Sequence, residues 1–250
     1  MMVPRFFGAL SVASRPLARI FPWLFRSREY GNFTYDTSEI SRIGLCGMVA
    51  AISGRELATV TSYVNELIDN RMFAEHVKHE HELSERRWSS DSHFHPGRRL
   101  FYYLLVRALR PGFVVEAGVD KGLGGAIISE AIRRNGMGDY LGIESNPLQD
   151  CSIYETFPEK VGSVVRGDSV AVLASMTRPI DLFIHDTTSE SEHVRRQLSS
   201  LTMAANGVIA SGWPLREFVE YAISHGMRLL THQEEPVGHW YSGSRLIAIY

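Results

Sequence analysis

Between positions 113 and 125 the sequence reads FVVEAGVDKGLGG, an apolar run that meets Glu116 and then Gly118, Gly122, Gly124 and Gly125. Glycine has no Cβ and tolerates φ > 0, so a loop this rich in it can lay bare backbone amides against a ligand. A dinucleotide fingerprint needs G-x-G-x-x-G. Counted from Gly118, its second and third glycines would fall on Asp120 and Leu123. The spacing present is G-x-x-x-G-x-G, which disfavours a nicotinamide cofactor. Polar residues close other apolar runs: Glu144 in LGIES, Asp168 and Ser169 in RGDS, and His185 with Asp186 in IDLFIHD. Open α/β sheets bind ligands at the carboxyl ends of their strands, so each is a candidate for ligand contact. As plain structure, the acids would be helix caps. A second cluster, His76, His79, His81, His93 and His95, invites a zinc reading. It lies in a polar stretch without cysteine support, and a solvated connector or lid fits it better.

The elements that must position these residues follow from the apolar pattern. Short runs at Phe113–Ala117, Tyr140–Ile143, Ser163–Val165, Ile180–Ile184 and Val208–Ala210 alternate with helix-like segments. That rhythm predicts a doubly wound parallel sheet in an α/β fold. Near the end, Arg228–Thr231 and Arg245–Tyr250 have no helix between them and are expected to pair antiparallel. Ahead of the sheet, residues 30–110 read as helical. Asp36 with Glu39, and Ser53 with Glu56, have capping-box spacing. Ile40, Ile43, Met48 and Ile52 mark one helix face, and Leu57, Val60, Val64, Leu67 and Ile68 another.

The whole chain has 250 residues, 44% hydrophobic and 22% charged, as in ordinary globular proteins. A net charge of −2 leaves no global footprint for nucleic acid. Two cysteines in no metal or redox spacing favour a reducing compartment, hence a cytoplasmic location. No apolar run approaches a membrane span. Residues 1–28 stand apart, with five arginines and no acid, leaving 21 basic against 28 acidic residues in the remainder. This basic arm could contact a membrane surface, carry a targeting signal, or pack on its own domain or a sister subunit. The expected organisation is a basic arm (1–28), a helical cap or oligomerisation extension (29–96) and a catalytic domain (97–250).

The glycine loop and the terminal antiparallel pair resemble those of class I S-adenosylmethionine-dependent methyltransferases. The resemblance implies a Rossmann-like seven-stranded sheet whose last strand is antiparallel, with S-adenosyl-L-methionine as cofactor. It places Gly118, Gly122 and Gly124 against the methionine part, Glu116 behind the loop or at the methionine amine, Glu144 on the ribose, and Asp168 and Ser169 near the adenine. Within the class, residues 167–198 resemble enzymes related to macrocin O-methyltransferase and to the rhamnosyl and cephalosporin-type enzymes. That implies a hydroxyl on a small molecule, a sugar or natural-product scaffold, as methyl acceptor.

Metal-dependent members of that group carry further carboxylates at the ends of the fourth and fifth strands. Here only Asp186 remains, with Thr188 and Ser189 after it and Ser211-Gly212-Trp213 on the fifth strand. No catalytic metal is expected. Asp186, His185 and His239 are the candidate proton acceptors, with His185 and Asp186 on opposite faces of one strand. Trp213, Trp240 and Tyr241 would wall the acceptor, or simply pack the hairpin edge. The missing carboxylates also motivate a rival reading, a cofactor-binding scaffold without catalysis.

Overall fold

The computed structural model describes residues 18, 20–29, 33–85, 91 and 93–250. Most of the basic arm, and part of the connector before Pro96, lie outside the described residues. The chain enters a short strand, β1 (Asp36–Thr37), and three helices, α1 (Glu39–Ser53), α2 (Leu57–Ile68) and α3 (Arg71–Leu83). Helix α4 (Arg99–Leu109) leads into the sheet. Strands β2 (Val114–Ala117), β3 (Tyr140–Glu144), β4 (Ser163–Arg166), β5 (Ile180–His185) and β6 (Met203–Ser211) then alternate with α5 (Leu123–Asn135), α6 (Ser152–Glu155), α7 (Ser169–Ser175) and α8 (Ser191–Ser199). Helix α9 (Arg216–Ser224), β7 (Leu229–Gln233), β8 (Pro236–Val237) and β9 (Arg245–Ile249) complete the order.

The seven-stranded sheet runs β4-β3-β2-β5-β6-β9-β7, with β9 antiparallel to both of its neighbours. Its centre is buried on both faces, which is why β2 and β5 read as near-continuous apolar runs. Alternation divides the core. Val114, Leu182 and Ile184 face one cluster, built jointly with α1 to α5. Val115, Ala117 and Phe183 face the other, under α7, α8 and α9. The helices before the sheet therefore cover the face that Ile184, and with it Asp186, looks toward. Helix α4 is almost wholly buried between these helices and the sheet, as its text RLFYYLLVRAL requires.

Four local expectations need correction. Asp36 does not cap α1: it pairs with Val237 in the small β1–β8 sheet, and Ser38 caps instead, its side chain accepting from the Ser41 amide. Ile40 and Ile43 are exposed, because α1 turns Leu45, Cys46, Met48 and Val49 inward. Ser53 bonds back to the Val49 carbonyl rather than capping α2, and Gly54 ends α1 in the left-handed region. Part of the stretch read as a solvated connector is helix, since residues 75–83, with His76, His79 and His81, continue α3 and bury Val77, Glu80 and His81.

Candidate active site

Strand register assembles the site. Ala117 lies opposite Ile143 on β3 and His185 on β5, so Gly118, Glu144 and Asp186 stand side by side one residue further on. Around them opens a cavity of about 310 Å³, lined by Gly118, Asp120, Glu144, Ser169, Asp186 and His193 among others. This is the size range of small-molecule sites.

The glycine loop is held by Glu144. Its Oε2 accepts from the amides of Val119 (3.1 Å) and Asp120 (3.0 Å), and its Oε1 from that of Asn146 (2.9 Å). Asp120 is thereby kept at φ 49°, a strained value for a side-chain-bearing residue, and Gln149 Nε2 donates to its Oδ1. Gly118 sits at φ 92°, where a Cβ would overlap the backbone carbonyl of Asp186. The bare cradle beside the cavity therefore depends on this glycine.

The other glycines do different work. A Cβ on Gly122 would meet the Cys151–Tyr154 backbone, and one on Gly124 would overlap the Glu116 carboxyl. Both allow α5 to pack close, and neither lines the cavity. Glu116 does not line it either: the side chain is buried under α5 and accepts a 2.6 Å hydrogen bond from the Tyr140 hydroxyl. Burial pushes its pKa up to about 8 despite that hydrogen bond. Asp168 is exposed and caps α7, its Oδ2 accepting from the Ala171 amide; its neighbour Ser169 faces the cavity.

The three candidate proton acceptors separate. Asp186 reaches the cavity, but Arg98 Nη2 approaches its two oxygens at 2.8 and 3.1 Å. Burial works against the Arg98 charge, yet Asp186 overrides it and raises the guanidinium's pKa above its ordinary value. His185 points the other way, wholly buried against Phe218, with Nδ1 2.5 Å from Gln197 Oε1. Burial lowers its pKa, partly offset by Gln197. His239 lies in a different cavity of about 320 Å³ with Trp23 and Tyr35. Its Nδ1 accepts from the Tyr241 amide, which leaves Nε2 to donate to Glu29 Oε1 at 2.6 Å. Both ring nitrogens are engaged, so this histidine clamps the N-terminal segment and has no nitrogen left for a substrate proton.

Several residues here carried no local signal in the sequence. His193, in the first turn of α8, lines the cavity and bonds Ser169 Oγ through Nε2 at 3.2 Å. Gln197 Nε2 donates to the same oxygen at 2.7 Å, linking Ser169 to His185. Near Asp186, Arg98 Nε, Tyr102 Oη and Thr187 Oγ1 are among the few buried polar atoms without a hydrogen-bond partner among the described residues. A Cβ placed on Gly212 would lie 3.3 Å from Arg98 Nε and 3.7 Å from Tyr102 Oη, so those two donors converge. Trp213 covers the Arg98 guanidinium at 5.3 Å, whereas Trp240 and Tyr241 pack on Trp23 and Tyr35. The histidine cluster does not converge. His76 bonds the Ile153 carbonyl, His81 is buried against Phe33, and His79 and His93 are exposed. Among the described residues no three His, Cys, Asp or Glu side chains form a metal site.

Solved structures share this architecture. A protein from Klebsiella pneumoniae described as a putative O-methyltransferase superposes with a TM-score of 0.56 at 13% identity, over 77% of this chain and 96% of that one. The O-methyltransferase TomG from Streptomyces achromogenes, in complex with SAM, gives 0.53 at 13% identity over 77% and 95%. The fold is the Rossmann-like methyltransferase fold. A Bacillus cereus O-methyltransferase in complex with SAH shares it as well, with a TM-score of 0.51 and 15% identity over 75% and 95% of the two chains. A family model described as a methyltransferase domain matches residues 115–210, from β2 to the end of β6, and so takes in Gly118, Glu144, Ser169, Asp186 and His193. A sequence search of the curated proteins finds no match.

Proposed function

We propose that the chain is a methyltransferase that uses S-adenosylmethionine to methylate a hydroxyl of a small molecule, a sugar or natural-product scaffold, without a catalytic metal. The observation that carries this reading is Glu144. Its carboxylate is aimed into the cavity by three backbone amides and keeps lone pairs for a ligand's vicinal hydroxyls. The residues present suit the cofactor. Gly118 holds the loop at the cavity wall in a left-handed turn that a Cβ would drive into the Asp186 carbonyl, Glu144 would hold the ribose hydroxyls, and Ser169 with His193 would border the adenine. When bound, the cofactor supplies a sulfonium-activated methyl group.

The protein's part is to orient the acceptor hydroxyl and take its proton. Asp186 is the group assigned to that role, fixed by Arg98 and still carrying lone pairs on both oxygens. The unpartnered hydroxyl of Thr187, on the cavity wall beside Asp186, suits an acceptor rich in oxygen. A guanidinium already balances the Asp186 carboxylate, which supports chemistry independent of a metal. Calorimetric titration with S-adenosylmethionine and S-adenosylhomocysteine tests the reading. Wild type is expected to bind both, and Glu144→Ala at least tenfold more weakly. Absence of binding to folded wild type would overturn it. Among candidate acceptors, Asp186→Asn is expected to abolish turnover while retaining most cofactor affinity.

A further inference from the structure

Residues 20–26 form a helix whose two sides meet different surroundings. Trp23 faces the body of the protein, 6.2 Å from the His239 ring and 5.6 Å from that of Trp240. The segment just after it is pinned: Ser27 Oγ and the Arg28 amide both bond Asp91, and Glu29 bonds His239. The helix is thus fastened with its opposite side outward. That side carries Phe21, Leu24 and Phe25, spaced i, i+3 and i+4, with 59%, 58% and 79% of their surfaces exposed. Arg26 and Arg28 are exposed beside them.

The charge pattern says what such a face would meet. Residues 1–28 hold five arginines and no acid, against an excess of acids in the remainder. A two-fold dimer through this face would bring two copies of Arg26 and Arg28 together, and their repulsion would oppose it. An anionic bilayer satisfies both features: its acyl boundary takes the aromatic and leucine side chains, and its headgroups pair with the guanidinium groups. No helix among the described residues is long and apolar enough to cross a membrane, so the contact is one of lying on the surface. We propose that the helix at residues 20–26, with Arg26 and Arg28 beside it, docks the protein on anionic phospholipid bilayers. This inference stands apart from the methyltransferase reading and survives if that reading fails.

Flotation of the full chain with vesicles of phosphatidylcholine, with and without about 30% phosphatidylserine, tests it. Wild type is expected to float with the anionic vesicles only, and to be released as salt rises from about 0.1 to about 0.5 M. The triple variant F21S/L24S/F25S should lose binding at least tenfold, with unchanged circular dichroism and thermal midpoint because these side chains are exposed. Replacing Arg26 and Arg28 by glutamine should weaken anionic binding by about fivefold per arginine. Equal flotation of wild type and the triple variant would overturn the proposal, as would equal binding to neutral vesicles. So would a dimer in light scattering that the triple variant dissolves while wild type ignores vesicles, which would make the face a contact between copies.

Discussion

Replacing Glu116 by glutamine should change the pH dependence of stability more than the stability itself. The carboxyl is buried beneath α5 and holds a pKa of about 8, against an ordinary value of 4.5. Below about pH 4.5 it is protonated in folded and unfolded chains alike, and its full stabilising contribution is present. As pH rises toward 8, the unfolded chain gives up the proton while the folded chain keeps it. Stability then falls by about 1.4 kcal/mol per pH unit. Across a gap of about 3.5 pH units the loss reaches about 5 kcal/mol, and above pH 8 this group adds nothing further. Glutamine keeps the shape against Gly124 and an oxygen for the Tyr140 hydroxyl, but cannot ionise. Urea unfolding of wild type and Glu116→Gln at intervals between pH 5 and 9 reads the effect directly. The variant should gain on wild type steadily until about pH 8. Parallel stability curves would refute the reasoning, since they would mean that Glu116 ionises in the fold as it does in water.

Other perturbations follow from the same geometry. Gly118→Ala forces a Cβ onto the rigid Asp186 carbonyl at a left-handed φ; it should cost roughly 1–3 kcal/mol or more in urea unfolding and eliminate S-adenosylhomocysteine binding by calorimetry. Arg98→Met strands the Asp186 carboxylate, whose side chain is only 9% exposed, and should destabilise by about 3–5 kcal/mol. Adding Asp186→Asn should recover part of that loss, and a double-mutant cycle showing no coupling would remove the ion pair from the account. Excess chelator should leave methyl transfer by the purified protein unchanged, and its loss would show that a metal takes part.

The sheet was legible because its central strands are apolar on both faces, and the strand ends because a polar residue or a glycine closes each run. Alternation alone separated His185 from Asp186 on β5. It could not distinguish the acid that lines the cavity, Glu144, from the one that supports α5 from behind, Glu116. That difference arises from how α5 crosses the sheet, through Gly124 and Tyr140. Long-range partners were invisible for a similar reason. Arg98 lies 88 residues from Asp186, and Glu29 lies 210 from His239, with no pattern linking either pair. On α1 the spacing indicated a helix but not its inward face, because the neighbours of α1, helix α4 and strand β7, decide which side is covered.

The contact of Tyr35 with Glu234 carries a consequence for how the protein is made. The two residues are 199 positions apart, joined by a 2.6 Å hydrogen bond beside the β1–β8 pairing. Synthesis proceeds from the N-terminus at about 5–20 residues per second. A newly made β1 therefore waits roughly 10 seconds or more for β8 to leave the ribosome. Through that interval Tyr35, buried in the finished protein, has no partner strand beside it, and the Arg98 amide that Tyr35 Oη accepts from lacks its final support. The helices before the sheet can condense early on α4, but the edge that β8 covers must wait for it.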